Sequence, residues 1–295
     1  MVFVLYKQNQ PDPASERIIL EEAAKQLDKD PNDLTDEDFE LITKFILRSK
    51  EIADLKLLEK FTNLQQLQLL RLSYPESAIP KWMKILSKFN IIDLDDKFEV
   101  NLRPISKLVN LRELYLWGDT INNIEPLEDS VNLKYLLLYD TQVSNLEPIK
   151  NMSNIKAFGI RDSRVPYLEL LKTLPNLEEL FLGEFTVPVA EFVKESKAIR
   201  KLSFVDQGFS DLNLVRELTN IKTLELLNTS VTDLSPVKDL INLEELVIRV
   251  SPVSDIEPIK VLKNLKLLLL EDCINITDEQ IEELKRALPD LKISR

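Results

Sequence analysis

One feature limits what this chain can fold into more than any other. A pattern returns every 22 residues, in blocks that open at Leu111, Leu133, Ile155, Leu177, Ile199, Ile221, Leu243 and Leu265. Each block begins with apolar residues at positions 1, 4 and 6, as in LRELYL, LEELFL and LKLLLL. An internal period of this length marks a stack of small units, none of which can bury its apolar face alone. The register also reaches toward the N-terminus, where Phe89 opens FNIIDL, Leu64 opens LQQLQL and Ile42 opens ITKFIL. Eleven repeats are expected over 42–287, with a small insertion near 70–88.

The alternation in LxxLxL is that of a strand with one buried face. Strands are expected at 42–47, 64–69, 111–116, 133–138, 155–160, 177–182, 199–204, 221–226, 243–248 and 265–270. The second half of each block, as in TINNIEPLEDSVN or SVTDLSPVKDLIN, spaces its apolar residues three or four apart around a proline. Proline fixes φ and lacks an N–H, which suits the first turn of a short helical or 3-10 segment. Asn closes most blocks, at Asn110, Asn132, Asn154, Asn176, Asn220, Asn242 and Asn264, where it can turn the chain into the next strand. The expected fold is an α/β solenoid: a right-handed arc with a concave parallel sheet, short 3-10 or helical convex segments, and helical caps at both ends.

The caps are legible. ASERIILEEAAKQLDKDP reads as an amphipathic helix with Ser15 as N-cap and Pro31 after its end, inside an N-terminal cap over 1–41. At the other end Thr277 and Gln280 form a capping-box pattern for a helix at about 278–287, with Ile281, Leu284 and Leu288 on one face. A terminal strand over 288–295 follows, and 1–295 reads as a single domain. The insertion is expected to supply an amphipathic helix with Trp82, Ile85, Leu86 and Phe89 inward.

Composition removes whole classes of chemistry. The chain has no His and a single Cys, Cys273, which removes His-based catalytic triads, His metal sites and intrachain disulfides together. Only four Gly are present, against glycine-rich phosphate loops. No enzyme, cofactor or metal is expected. A formal charge of −12 argues against nucleic acid, whose phosphates are bound by Lys and Arg. The acidic runs TDEDFE and DLDDK lack the ligand spacing and Gly of a calcium loop and read as solvated faces. The glycosylation-type triplets at Asn151, Asn228 and Asn275 arise from the Asn- and Thr-rich repeat itself. The apolar run at the start is too short for a signal peptide or a membrane span. The reading is a soluble, monomeric protein without membrane insertion, either cytoplasmic or exported with its leader removed.

These blocks resemble the leucine-rich-repeat family over about residues 39–293. The 22-residue step with IxDLxPL is similar to its internalin-like and phosphatase-regulatory branches. One departure stands out. The family usually carries Asn at position 9, where this chain has Asp119, Thr141, Ser163, Phe185, Gln207, Thr229, Ser251 and Cys273. The block containing Phe185 also lacks the IxDLxP signature, so an irregular coil is expected there.

The resemblance implies a protein-binding scaffold that takes a protein or peptide partner on exposed strand positions 3, 5 and 7. It leaves two alternatives, a regulatory subunit docking on an enzyme such as a phosphatase and a cell-surface adhesion module. At those positions Tyr115, Trp117, Tyr135, Leu137 and Tyr139 fall together in two adjacent blocks, with Arg161 and Phe181 further on. Exposed aromatics and Arg are enriched in interface hot spots. The candidate partner-binding residues are therefore Tyr115, Trp117, Tyr135, Leu137, Tyr139, Arg161 and Phe181, with all four aromatics of the first two blocks expected to be accessible.

Overall fold

The structure is a computed structural model that describes residues 12–49, 51–71, 100–162, 165, 168–183, 198–205 and 208–295. The block opening at Phe89, the helix expected around Trp82 and position 9 residues Ser163, Phe185 and Gln207 lie outside that set. The chain divides after Ile155 into two compact units.

The first unit begins with helix α1 (Pro13–Leu27). Its N-cap is Asp12 rather than Ser15, because Pro13 takes the first helical position, where a missing N–H costs nothing. Ser15 instead is buried and ties the helix to the first coil, its Oγ accepting from the Ala53 and Asp54 N–H groups at 3.0 and 3.2 Å. TDEDFE turns out to start a short helix, α2 (Asp36–Glu40). Thr35 and Asp38 form its capping box, and Asp38 is buried against Lys29 at 2.6 Å.

Strands β1 (Lys44–Arg48), β2 (Gln66–Leu70), β3 (Glu113–Trp117) and β4 (Tyr135–Tyr139) then pair in parallel in chain order. They start about two residues later than the apolar pattern suggests, because position 1 is a buried corner before the strand. β2 pairs directly with β3, Gln66 opposite Glu113 and Leu70 opposite Trp117. On the outer side the 3-10 turn Arg103–Lys107 packs on the turn Lys56–Lys60.

The second unit holds β5 (Ala157–Arg161), β6 (Glu179–Gly183), β7 (Lys201–Val205), β8 (Thr223–Leu227), β9 (Glu245–Arg249), β10 (Leu267–Glu271) and β11 (Lys292–Ser294). All are parallel and paired in chain order. Helix α3 (Asp278–Ala287) follows β10, with the expected capping box of Thr277 and Gln280 and with Ile281, Leu284 and Leu288 buried. In both units positions 4 and 6 carry the core, as in Leu114, Leu116, Leu136 and Leu138, or Leu224, Leu226, Leu246 and Ile248. These parallel ladders, stepped by the repeat, make the fold an α/β solenoid of leucine-rich repeats.

Two polar devices tie successive coils together, and a third shapes each coil from within. The closing Asn donates its side-chain amide to the backbone carbonyl just before the preceding block's Asn, as Asn132 to Val109 and Asn264 to Ile241, both at 2.8 Å. At position 13 an Asn or Asp accepts the N–H two residues on, as Asp233 from Ser235 at 2.7 Å and Asn123 from Glu125 at 2.8 Å, which sets up the 3-10 turn. Position 9 contributes less, through Ser251 Oγ to the Val231 carbonyl at 3.1 Å and Cys273 Sγ to the Ile248 carbonyl at 3.4 Å.

Candidate functional site

Position 8, just past each strand, decides how the sheet face ends. Gly118, Asp140, Asp162, Asn228, Val250 and Asp272 all have positive φ there. The left-handed turn lets the position 8 amide reach the next coil, as Asn228 N–H to the Arg249 carbonyl and Val250 N–H to the Glu271 carbonyl, both at 2.8 Å. Asp and Asn tolerate this conformation and Gly is free to adopt it, whereas a β-branched Val is strained. At Gly118, with φ of 145°, an added Cβ would also sit 2.6 Å from the Arg71 Cβ and 2.8 Å from the Arg71 carbonyl oxygen.

On β3 and β4 the side chains turned away from the core meet in three cross-strand pairs, Glu113 with Tyr135, Tyr115 with Leu137 and Trp117 with Tyr139. Tyr115, Tyr135, Leu137 and Tyr139 are half-buried, as the strand pattern anticipates. The Tyr115 hydroxyl donates to Glu113 Oε2 at 3.1 Å. Burial first, and the Glu113 carboxylate second, push its pKa up to about 12, so it stays a neutral donor.

Trp117 does not stand open. It is 6% exposed, and the expectation that it would be accessible is corrected. The ring packs with Leu70, meets Tyr139 edge-on at 5.9 Å and 88°, and donates from Nε1 to Asp140 Oδ2 at 2.6 Å. Ile46 joins the same cluster. The cause is local: the direct pairing of β2 with β3 sets Leu70 beside the indole, and the turn at Asp140 brings a carboxylate to its N–H. Trp117 thus serves as the packed brace against which Tyr139 rests. Leu70, Ile46 and Asp140 escaped the sequence reading, although an acid right after the strand at position 8 was a visible signal.

In the second unit Arg161 and Phe181 also lie partly exposed on the face opposite the core. Arg161 pairs with Gly183 across the ladder, and a Cβ on that glycine would come within 2.9 Å of the Arg161 Cγ. Gly183 is therefore the space the arginine stem needs. Phe181 lies beside Ser203, and Lys201 Nζ stands 5.3 Å from the Phe181 ring centroid while pairing with Glu225 at 2.7 Å. Further along, Glu244 is held by Lys222 and Lys266 at 2.6 and 2.5 Å, and these two hydrogen bonds, Lys222 first, hold its pKa down at about 2. Among the described residues no group of three His, Cys, Asp or Glu is placed to hold a metal, and no helix is long and apolar enough to cross a membrane. What both faces offer is surface for contact: rings, hydroxyls and half-buried charges.

No family profile matches the sequence, and no curated protein matches it. Among solved structures, an internalin of Listeria monocytogenes is 20% identical, covering 97% of each chain with a TM-score of 0.48. Internalin C2 of the same organism is 20% identical over 88% of this chain and 93% of that one, with a TM-score of 0.34. A leucine-rich-repeat protein of Leptospira interrogans is 16% identical over 89% and 92%, with a TM-score of 0.37. The fold assignment rests on this chain's own repeat and strand ladders.

Proposed function

We propose that the chain is a non-catalytic scaffold that binds a protein or peptide partner on the face of β3 and β4 turned away from the core. The observation that carries this reading is the set of Tyr115, Tyr135, Leu137 and Tyr139, side by side and half-buried on strands whose opposite face carries the core leucines. Tyrosines with rigid rings and polar tips give large contact area at low entropic cost. Trp117, buried beside Tyr139, braces that ring rather than touching the partner. Arg161 and Phe181 extend the same kind of surface in the second unit, where a guanidinium and a ring suit carboxylates and apolar side chains.

A displayed library of random peptides, selected on the intact protein, tests this. Selected peptides should bind the wild type and a Thr223→Ala control alike, and should lose binding to a Tyr135→Ser/Tyr139→Ser variant. Peptides that bind that variant as well as the wild type, or a selection that yields nothing, would count against the reading.

A further inference from the structure

On the second unit, three neighbouring side chains form a row across β6, β7 and β8: Phe181, Ser203 and Glu225, paired rung to rung and pointing away from the core. Ser203 is only 1% exposed, and among the described residues its hydroxyl has no hydrogen-bond partner. A buried hydroxyl without a partner is unusual enough to ask what would satisfy it. Its two flanks are an aromatic ring and a carboxylate, the surroundings that suit a cation. One cation is already there. Lys201, two residues before Ser203 on the same strand, places Nζ 2.7 Å from Glu225 Oε1 and 5.3 Å from the Phe181 centroid. An ammonium is a point charge, and in this position it meets the carboxylate and the ring but leaves the serine unsatisfied.

We infer that Phe181, Ser203 and Glu225 form a subsite for an arginine side chain of a partner protein, which Lys201 fills in the free protein. A guanidinium is planar, stacks on a ring and carries five N–H donors in a fixed fork. Lying on Phe181, it can direct one edge to Glu225 and another N–H to Ser203 Oγ, which accepts. A lysine from the partner would repeat what Lys201 already does and gain nothing from the serine. The Lys201 and Glu225 side chains are 29% and 19% exposed, so the displacement is offset only because the arriving guanidinium re-pairs Glu225 while the freed ammonium moves into water. The subsite belongs to the second unit alone and does not depend on the tyrosine face of β3 and β4.

The test uses the intact protein, isotope-labelled, titrated with Nα-acetyl-arginine methylamide and separately with its lysine counterpart. Saturable shifts at the Phe181, Ser203 and Glu225 amides are expected with the arginine probe in the millimolar range, and weaker ones with lysine. Lys201→Ala removes the internal competitor and should tighten arginine binding about threefold or more. Adding Glu225→Gln to that variant should weaken it about tenfold. Ser203→Ala should erase the preference for arginine over lysine. The inference is overturned if Lys201→Ala gives no saturable shift at these amides, if the two probes bind it equally, or if Glu225→Gln leaves binding unchanged. A wild-type titration that shows the arginine preference supports it even if a variant fails to fold.

Discussion

The faces of β3–β4 and of β8–β9 share one backbone plan and almost nothing else. Both pairs run parallel at the same repeat step, and both bury Leu or Ile at positions 4 and 6. On the other side, β3 and β4 carry tyrosines beside a buried tryptophan, whereas β8 and β9 carry Thr223, Glu225, Glu245, Val247 and Arg249. The ion pairs there run to neighbouring strands, from Lys201 to Glu225 and from Arg249 to Glu271. The repeat constrains only the side that stacks. The opposite side is free to vary, and that freedom is what lets one architecture carry different recognition surfaces.

Truncation separates the two sides. Trp117→Ala removes a buried ring and its bond to Asp140, so it should cost about 3–5 kcal/mol in denaturant unfolding. Tyr135→Ala on the same face should cost far less; equal losses would mean that Trp117 is no more a packing residue than its neighbours. Leu136→Ala and Leu224→Ala occupy the same core position in the two units, and each should cost about 2–5 kcal/mol against an exposed Lys222→Ala control. A large difference between the two leucines would break the claim of a common core plan.

Position 8 sharpens the comparison at finer scale. Gly118→Ala meets Arg71 backbone and should cost about 1–3 kcal/mol. Val250 adopts the same left-handed turn as Asn228 while 49% exposed, so Val250→Asn should stabilise by about 1 kcal/mol, read as a raised unfolding midpoint. No gain would show that the valine is not strained there.

The smallest effect is at the N-terminal cap. The hydrogen bond from the Ser15 hydroxyl is the main cause that holds Asp12 below the usual carboxylate range. A lowered folded pKa contributes stability above the unfolded value of about 3.9 and loses it as pH falls through the folded value. Unfolding midpoints of the wild type and Asp12→Asn should therefore converge as pH drops below about 4, and parallel curves would contradict this assignment.

Much of the fold was legible because stacking forces a strict apolar period. The core positions, the proline turns, the capping box at Thr277 and the C-terminal strand follow from residue spacing alone. Sequence spacing registers strands and outer turns separately, and it does not say that Gln66–Leu70 and Glu113–Trp117 become direct neighbours in the sheet. The face was less legible than the core. Alternation correctly placed Tyr115, Tyr135, Leu137 and Tyr139 away from the core, yet it could not tell that Trp117 would be covered by Leu70 and held by Asp140. That depends on which strand lies alongside and on a left-handed turn, and both are tertiary facts. Ser203 gave no signal at all, since its isolation becomes visible only once Phe181 and Glu225 stand beside it.

The central claim is that recognition occurs on the tyrosine face of β3 and β4. Its most direct test is calorimetric titration of a library-selected peptide into the wild type, Tyr139→Ala and a Glu245→Ala control. The account predicts that Tyr139→Ala weakens binding by about 2 kcal/mol or more, as expected of a hot spot, while Glu245→Ala binds like the wild type and both variants unfold cooperatively. Wild-type affinity in Tyr139→Ala, with the loss appearing in Glu245→Ala instead, would contradict it.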